Sequence, residues 1–280
     1  MSNAAQIEYW NSRVGDTWAG MQARIDESFT PVTAALLSLA APQPGENALD
    51  VGCGSGETTL ALAGAVGDDG TALGIDISDQ LLARARERAA ELLSEAEFRQ
   101  ADAATFDEDS GFDLIVSRFG VMFFADPVAA LANIRALAAL GGRLVFACWQ
   151  PTTENLWATL AMQAVGNILP DAPMPPIAGE PGPFAFADPE HVHGILDAAG
   201  WQDIAFHALS FSMVIGAGED ALMSAVEFHL SIGPAARAIR EAGPDVAAAA
   251  APLLADALRA NLFEGVVGLP AAAWIVTARA

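Results

Sequence analysis

Between about residues 45 and 150, short apolar runs alternate with longer amphipathic stretches, the rhythm of strand and helix in turn. Ala48, Leu49 and Val51 make the first apolar run, followed by a turn studded with Gly52, Gly54 and Gly56 and a helix predicted over Glu57–Val66. The turn Gly67-Asp68-Asp69-Gly70 leads to a strand over Thr71–Ile77, a helix over Asp79–Ser94 and a strand over Glu97–Gln100. Gly111–Ser117 is apolar almost throughout, as strands covered on both faces tend to be. An amphipathic helix over Pro127–Leu140, the turn Gly141-Gly142 and a strand over Arg143–Trp149 complete five strands in βα alternation. Right-handed crossovers make of these an α/β fold with a doubly wound, Rossmann-like sheet.

The flanks read differently. Residues 6–41 are predicted helical, with Tyr9, Trp10, Trp18 and Met21 on apolar positions, a second run from Phe29 to Leu39 begun by Thr30-Pro31, and a stop at Pro42 and Pro44. After Gln150 a helix is predicted over Thr153–Leu169. Prolines at 170, 173, 175, 176, 181, 183 and 189 then mark an exposed or gating loop. Asp188-Pro189-Glu190 starts a helix to Ala199, and strands over Asp203–Val214 and Ala272–Ala278 are expected to add an antiparallel edge hairpin, seven strands in all. The alanine-rich stretch between them, 218–267, reads as helical. The expected organisation is a helical lid (1–44), a core (45–150, 188–217 and 270–280) and a helical cap (151–187 and 218–269).

Composition narrows the partners. With 53% hydrophobic residues among 280, the chain has ample material for a core. Its 35 acids against 13 bases, all arginine, give a net charge of −22, which repels phosphate backbones and anionic lipid. Nucleic acid is therefore not expected as substrate or partner. Two cysteines are too few for a disulfide framework. The opening MSNAAQIEYW has no basic start or apolar run, and no stretch reaches the length of a membrane span. A cytoplasmic protein with reduced thiols is the expectation.

The candidate chemistry centres on Ala48–Leu62. A strand, a glycine turn and a helix start leave backbone open to a nucleotide, because no Cβ intervenes. The glycines alternate as G-x-G-x-G, whereas dinucleotide binders show G-x-G-x-x-G. Asp50 lies two residues before the first glycine. Asp76 stands about twenty residues beyond them, the place from which an acid accepts bonds from both ribose hydroxyls. Loops after the fourth strand lie at the sheet's carboxyl edge, so Ser117, Arg118 and Phe119 are near the ligand by topology. Arg118 either anchors a carboxylate of ligand or substrate, or pairs with Asp126 and holds the loop.

Asp50, Gly52, Gly54 and Gly56 fill without a gap the first motif, (D/E)-x-G-x-G-x-G, of the class I S-adenosylmethionine-dependent methyltransferases, and over residues 45–150 the chain resembles that family, its menaquinone/ubiquinone-type and type 11/25 members in particular. The resemblance implies S-adenosylmethionine as cofactor and S-adenosylhomocysteine as product. It implies contacts from Asp50, Gly52, Cys53 and Gly54 beneath the aminoacyl end and sulfonium, from Asp76 and Ile77 at the ribose, and from Asp102 and Ala103 at the adenine. It also favours Tyr9 and Trp18 as part of an aromatic lid over the sulfonium, although such rings equally serve as plain core. A branched side chain at Gly52 is expected to fill the ligand's space and leave the fold standing.

Methyl transfer from a sulfonium asks chiefly for alignment and exclusion of water. A base is needed only for an acceptor that arrives protonated. His229 is the candidate, against an ordinary helix-surface role; His207 reads as structural. His191 and His193, two apart on a helix, point to different sides, so no metal is expected. Trp10, Phe123, Trp149 and Phe228 are the candidate acceptor-lining residues, which suggests a small apolar or aromatic molecule. The rival readings are an NAD-dependent oxidoreductase and a protein that binds S-adenosylmethionine without catalysis.

Overall fold

The computed structural model describes residues 3–108, 111–170 and 179–280; the part of the proline-rich stretch at 171–178 lies outside them. Three helices come first: α1 (Ala4–Trp10), α2 (Arg13–Gly20) and α3 (Gln22–Ala40). Alternation follows through β1 (Asn47–Val51), α4 (Glu57–Val66), β2 (Thr71–Asp76), α5 (Asp79–Leu92), β3 (Glu97–Gln100), β4 (Phe112–Arg118), α6 (Pro127–Ala136) and β5 (Ala138–Trp149). The second half contains α7 (Leu156–Val165), α8 (Pro189–Ala198), β6 (Gln202–Ala217), α9 (Ala221–Ser231), α10 (Pro234–Ala242), α11 (Pro244–Leu258), β7 (Leu262–Phe263) and β8 (Val266–Arg279).

The sheet runs β3-β2-β1-β4-β5-β8-β6, with the two-residue β7 paired to β8 as an eighth strand beyond the seven expected. Strands β1 to β5 are parallel, and β8 lies antiparallel to β5 and β6. Strand order therefore reverses between β1 and β4, and the crevice outside their carboxyl ends is where sheets of this kind bind ligands. The centre is dry: Ala48, Leu49, Leu114, Ile115 and Val116 are fully buried.

Several boundaries differ from the sequence expectation: the helix expected over Thr153–Leu169 is shorter, Leu156–Val165, the helical stretch expected to 267 ends at Leu258, and three further differences have a clear physical cause. Pro31 does not begin a helix; it sits inside α3, which runs unbroken from Gln22. An interior proline costs about 3 kcal/mol, but α3 buries Ile25, Phe29, Val32, Leu36 and Ala40 along one face, and burying each large apolar side chain returns about 1.5–3 kcal/mol. Helix α6 stops at Ala136, not Leu140, because the Leu137 carbonyl accepts the Phe112 N–H at 2.8 Å and Ala138 already pairs with Phe112. A bulge then carries the chain through Gly141 (φ 75°) into the main pairing of β5. The last strand begins at Val266, not Ala272, since β6 continues to Ala217 and pairs with it there. Pro270 lies past the end of the β5 pairing, where β8 has β6 as its remaining long neighbour.

Among the described residues no helix is long and apolar enough to cross a membrane.

Candidate functional site

The glycine turn is shaped by backbone contact. Gly52, Gly54 and Gly56 all take positive φ, at 70°, 54° and 84°. A Cβ on Gly52 would stand 2.8 Å from the Gly120 Cα, and one on Gly120 would stand 2.6 Å from the Val51 carbonyl oxygen. The turns after β1 and β4 thus cross backbone to backbone, and a side chain at Gly52 would strike protein before ligand. This overturns the expectation that a branched residue there spares the fold. Gly54 differs, since nothing stands within 4 Å of its would-be Cβ. The loop's first donors are spent internally: Gly52 and Cys53 N–H both reach the Ile75 carbonyl (2.9 and 3.1 Å), and Gly54 N–H reaches Asp76 Oδ2 (2.9 Å).

Three carboxylates surround this turn. Asp50 is buried, with Oδ2 accepting the Thr59 hydroxyl at 2.7 Å and Oδ1 lacking a hydrogen-bond partner. Burial pushes its pKa up to about 7, against the Thr59 bond and the charge of Arg118, with Asp76 adding to the rise. An orphaned carboxylate oxygen at a cavity wall fits a ligand ammonium. Asp76 accepts the Ser78 N–H on Oδ1 and the Gly54 N–H on Oδ2, both at 2.9 Å. Burial raises its pKa while these backbone bonds oppose the rise. Each of its oxygens keeps a second lone pair for a hydroxyl. Asp102 Oδ1 accepts from Asn3 Nδ2 at 2.8 Å and from Ala104 N–H at 3.0 Å.

All three acids line a single cavity of about 210 Å³. Of the residues expected at the cofactor, Trp18, Gly52, Cys53, Gly54, Ile77, Ala103, Arg118 and Phe119 are on its wall, as are the acceptor candidates Trp10, Phe123 and Trp149. Tyr9 is not; it stands edge-on behind Trp10, ring centres 5.6 Å apart. Ser117 is fully buried below the wall, its hydroxyl donating to the Val51 carbonyl at 2.7 Å and accepting the Gly120 N–H at 3.2 Å. Phe228 is buried on α9, off the wall.

Trp10 meets Trp18 and Phe123 edge to face, at 5.4 and 5.6 Å. The segment that carries it is fastened to the turn after β2: Ser78 Oγ donates to the Trp10 carbonyl at 2.9 Å, Asn11 Nδ2 to the Ile77 carbonyl at 2.9 Å, and Asp79 N–H to Asn11 Oδ1 at 3.0 Å. The aromatic roof is thereby tied to the residue next to Asp76. Sequence reasoning passed over Phe29, Trp157, Met213 and Ile232, which also line the cavity. Their signal was weak, because an apolar residue on a helix or edge strand reads as ordinary core.

Arg118 does not pair with Asp126, which instead caps α6 by accepting the Ala129 N–H at 3.1 Å. Its guanidinium binds Glu57 and Thr33 Oγ1, the latter at 2.9 Å, and lies 3.5 Å from Asp26, which Arg88 holds at 2.9 Å. It also covers the Phe29 ring at 5.4 Å. Two arginines and two acids join α3, α4, α5 and β4 into a largely buried network at the cavity edge.

His229 does not face the cavity. Its Nε2 is buried without a hydrogen-bond partner, and burial lowers its pKa to about 4, so it is neutral at pH 7. His191, His193 and His207 are exposed. Among the described residues no three His, Cys, Asp or Glu side chains cluster as a metal site.

A family model described as a methyltransferase domain matches residues 42–200. The nocamycin O-methyltransferase of Saccharothrix syringae is 33% identical over 187 residues, 64% of this chain and 67% of that protein. Aklanonic acid methyltransferase of Streptomyces sp. strain C5 is 37% identical over 123 residues, 43% of this chain and 56% of the relative. The demethylmenaquinone methyltransferase of Bacillus mycoides is 35% identical over 105 residues, 37% and 44% of the two chains, so the match spans about half the length of these last two relatives. Among solved structures, the YcgJ protein of Bacillus subtilis aligns with TM-score 0.56 at 15% identity, over 88% of this chain and 97% of that one. Magnesium protoporphyrin IX methyltransferase of Synechocystis PCC 6803 with bound SAH aligns with TM-score 0.53 at 19% identity, over 76% and 93%. The structures carry the fold and the sequence match carries the kinship: a chain with this strand order and this glycine turn, matched from residue 42 to residue 200, belongs to the methyltransferase-domain family.

Proposed function

We propose that this protein transfers a methyl group from S-adenosylmethionine to a small apolar or aromatic acceptor. The observation that carries the reading is one cavity lined together by Asp50 with its orphaned oxygen, the open face of Gly54, the doubly anchored Asp76, Trp10 and Trp18. Asp50 would take the cofactor's ammonium, Asp76 its ribose hydroxyls, and Asp102, on exchange with Asn3, its adenine amino group. The bound cofactor supplies a methyl already activated by positive sulfur. The chain's part is to hold acceptor and methyl in line and to keep water away. The aromatic wall of Phe29, Phe119 and Trp149, with centroid distances of 5.1 Å between the first two and 4.3 Å between the last two, suits that task. Aromatic faces beside the sulfonium stabilise its charge.

Relatives named for nocamycin, aklanonic acid and demethylmenaquinone support an organic small molecule as acceptor. The acidic surface argues against nucleic acid, and two buried free thiols, Cys53 and Cys148, suit a reducing, cytoplasmic setting. In this reading α1 to α3 act as lid, and α7 with α9 to α11 as acceptor cap.

Calorimetry with S-adenosylhomocysteine and NAD, followed by turnover of S-adenosylmethionine over a panel of naphthols, hydroxynaphthoates and naphthohydroquinone, tests the proposal. Binding of the nucleoside and methylation of a planar acceptor are expected. Affinity for NAD alone would overturn the cofactor assignment, and nucleoside binding with no turnover over the panel would overturn the acceptor class.

A further inference from the structure

Asn155 lies just before α7, is completely buried and does not line the cavity. Its side-chain amide nonetheless meets five backbone or side-chain partners. Nδ2 donates to the carbonyls of Gln150 (2.9 Å), Pro151 (3.1 Å) and Ala272 (3.1 Å). Oδ1 accepts the Ala272 N–H and the indole Nε1–H of Trp157, both at 3.0 Å. Carbonyls on one side and N–H groups on the other fix which way round the amide sits. A buried amide with every site filled holds one geometry, because each lost bond leaves a buried polar group unpaired.

Those partners are not scattered. Gln150 follows Trp149 at the end of β5, and its own N–H bonds the Ala272 carbonyl at 3.0 Å. Asn155 therefore refers Trp157, in the cap, to the strand ends that carry Trp149. Both rings line the cavity, with centres 4.8 Å apart and planes inclined at 46°. Trp149 in turn stacks on Phe119 at 4.3 Å and 11°. The indole's one polar atom is turned to Asn155, so Trp157 contributes hydrocarbon to the wall.

We propose that Asn155 is a positioning residue for the acceptor: by holding the Trp157 indole against the frame of β5 and β8, it sets the plane of the ring wall on which a flat, apolar acceptor lies. This rests on the acceptor reading above, and two measurements keep the claims apart. In protein labelled with 15N-tryptophan, Trp157→Phe identifies the Trp157 indole cross-peak by its loss. Asn155→Ser is expected to shift that cross-peak and to speed its exchange with water. An unmoved peak would overturn the proposal whatever the acceptor.

The second measurement is the affinity of 2-naphthol for the S-adenosylhomocysteine-loaded protein. Asn155→Ser is expected to weaken it about fivefold, the equivalent of about one hydrogen bond's net worth, with S-adenosylhomocysteine affinity held within about twofold. In a Trp157→Phe background the same change should add nothing, since the link is already cut. An equal loss in both backgrounds would make Asn155 a merely structural residue, and undiminished naphthol binding would refute the proposal alone. Failure of the native protein to bind 2-naphthol would remove the acceptor reading and the proposal with it. Should Asn155→Ser not fold, Trp157→Phe decides: it keeps an aromatic ring and removes the donor, and unchanged naphthol affinity would sink the idea.

Discussion

Asp50 offers the sharpest quantitative test. Its carboxyl, ordinarily at 3.8, is raised to about 7, chiefly by burial. In the unfolded chain it ionises near 4. Between those values the folded state holds a proton that the unfolded state has released, so this residue's contribution makes stability fall as pH rises, and the loss is complete above about 7. The displacement from 3.8 to about 7 corresponds to about 4 kcal/mol. Asp50→Asn removes the titration while keeping an oxygen for Thr59 and placing an amide at the orphan position. Chemical denaturation of both proteins, free of cofactor, at intervals from pH 5 to pH 8 gives the difference in unfolding free energy directly. The variant is expected to gain on the native protein by about 3 kcal/mol across that range, accruing steadily from pH 5 to about pH 7 and levelling off above it. A difference that does not change with pH would refute the assignment of a strained, unpaired carboxylate.

The same reasoning fixes the sign for binding. A ligand ammonium beside Asp50 favours the ionised carboxyl and returns its pKa towards the usual range. Binding of S-adenosylmethionine below neutrality should therefore release a proton, visible as a buffer-dependent calorimetric enthalpy, and affinity should rise with pH up to about neutrality. In Asp50→Asn both effects should vanish, together with part of the affinity. A native protein that takes up no cofactor-linked pH dependence would place the ammonium elsewhere.

Further outcomes follow from neighbouring geometry. Asp76→Ala should weaken S-adenosylhomocysteine binding by about 1–3 kcal/mol, the cost of unmade bonds to a charged acceptor; unaltered calorimetric affinity would mean that the ribose is held by other groups. Gly52→Ala should lower the melting temperature through its contact with Gly120 and its positive φ, whereas Gly54→Ala should act more on cofactor affinity, and equal melting losses would contradict the division drawn here. Arg118→Ala strands Glu57, while Asp26 keeps Arg88, and should cost about 3 kcal/mol in denaturant unfolding, the low end for stripping one member from a buried pair; His229→Phe, by contrast, should leave kcat unchanged, and a loss of turnover without loss of stability would restore the imidazole as a base.

Periodicity found the centre of the fold because its determinants are local. Ala48, Leu49 and Val51 or Leu114, Ile115 and Val116 are apolar on both faces, and a strand in the middle of a parallel sheet has no other way to be built. Boundaries that depend on a distant partner were not legible. Leu137 to Leu140 have helix-forming composition, yet the free N–H of Phe112 draws them into β5. Val266 to Ala271 contain Gly268 and Pro270, which argue against a strand until β6 is seen alongside. Pro31 is similar: the local penalty is real, and the buried face of α3 outweighs it.

At the site, the acids and glycines were legible because their places are set locally, at the carboxyl ends of β1, β2 and β3. Their reasons were less so. Gly52 and Gly54 look alike in sequence, but one is small for the sake of Gly120 and the other faces open space. Arg118 offered a choice between ligand and loop, and the chain filled it with Glu57 and Asp26, partners 61 and 92 residues away. The aromatic wall was read least well, because it is assembled from three directions at once: Phe29 from α3, Trp149 from β5 and Trp157 from α7. A lone aromatic carries no mark of whether it faces a cavity or a core. What distinguishes Trp157 is the company of its one polar atom, which the buried amide of Asn155 receives; where an indole's nitrogen is claimed from behind, the ring's hydrocarbon is left for whatever enters in front.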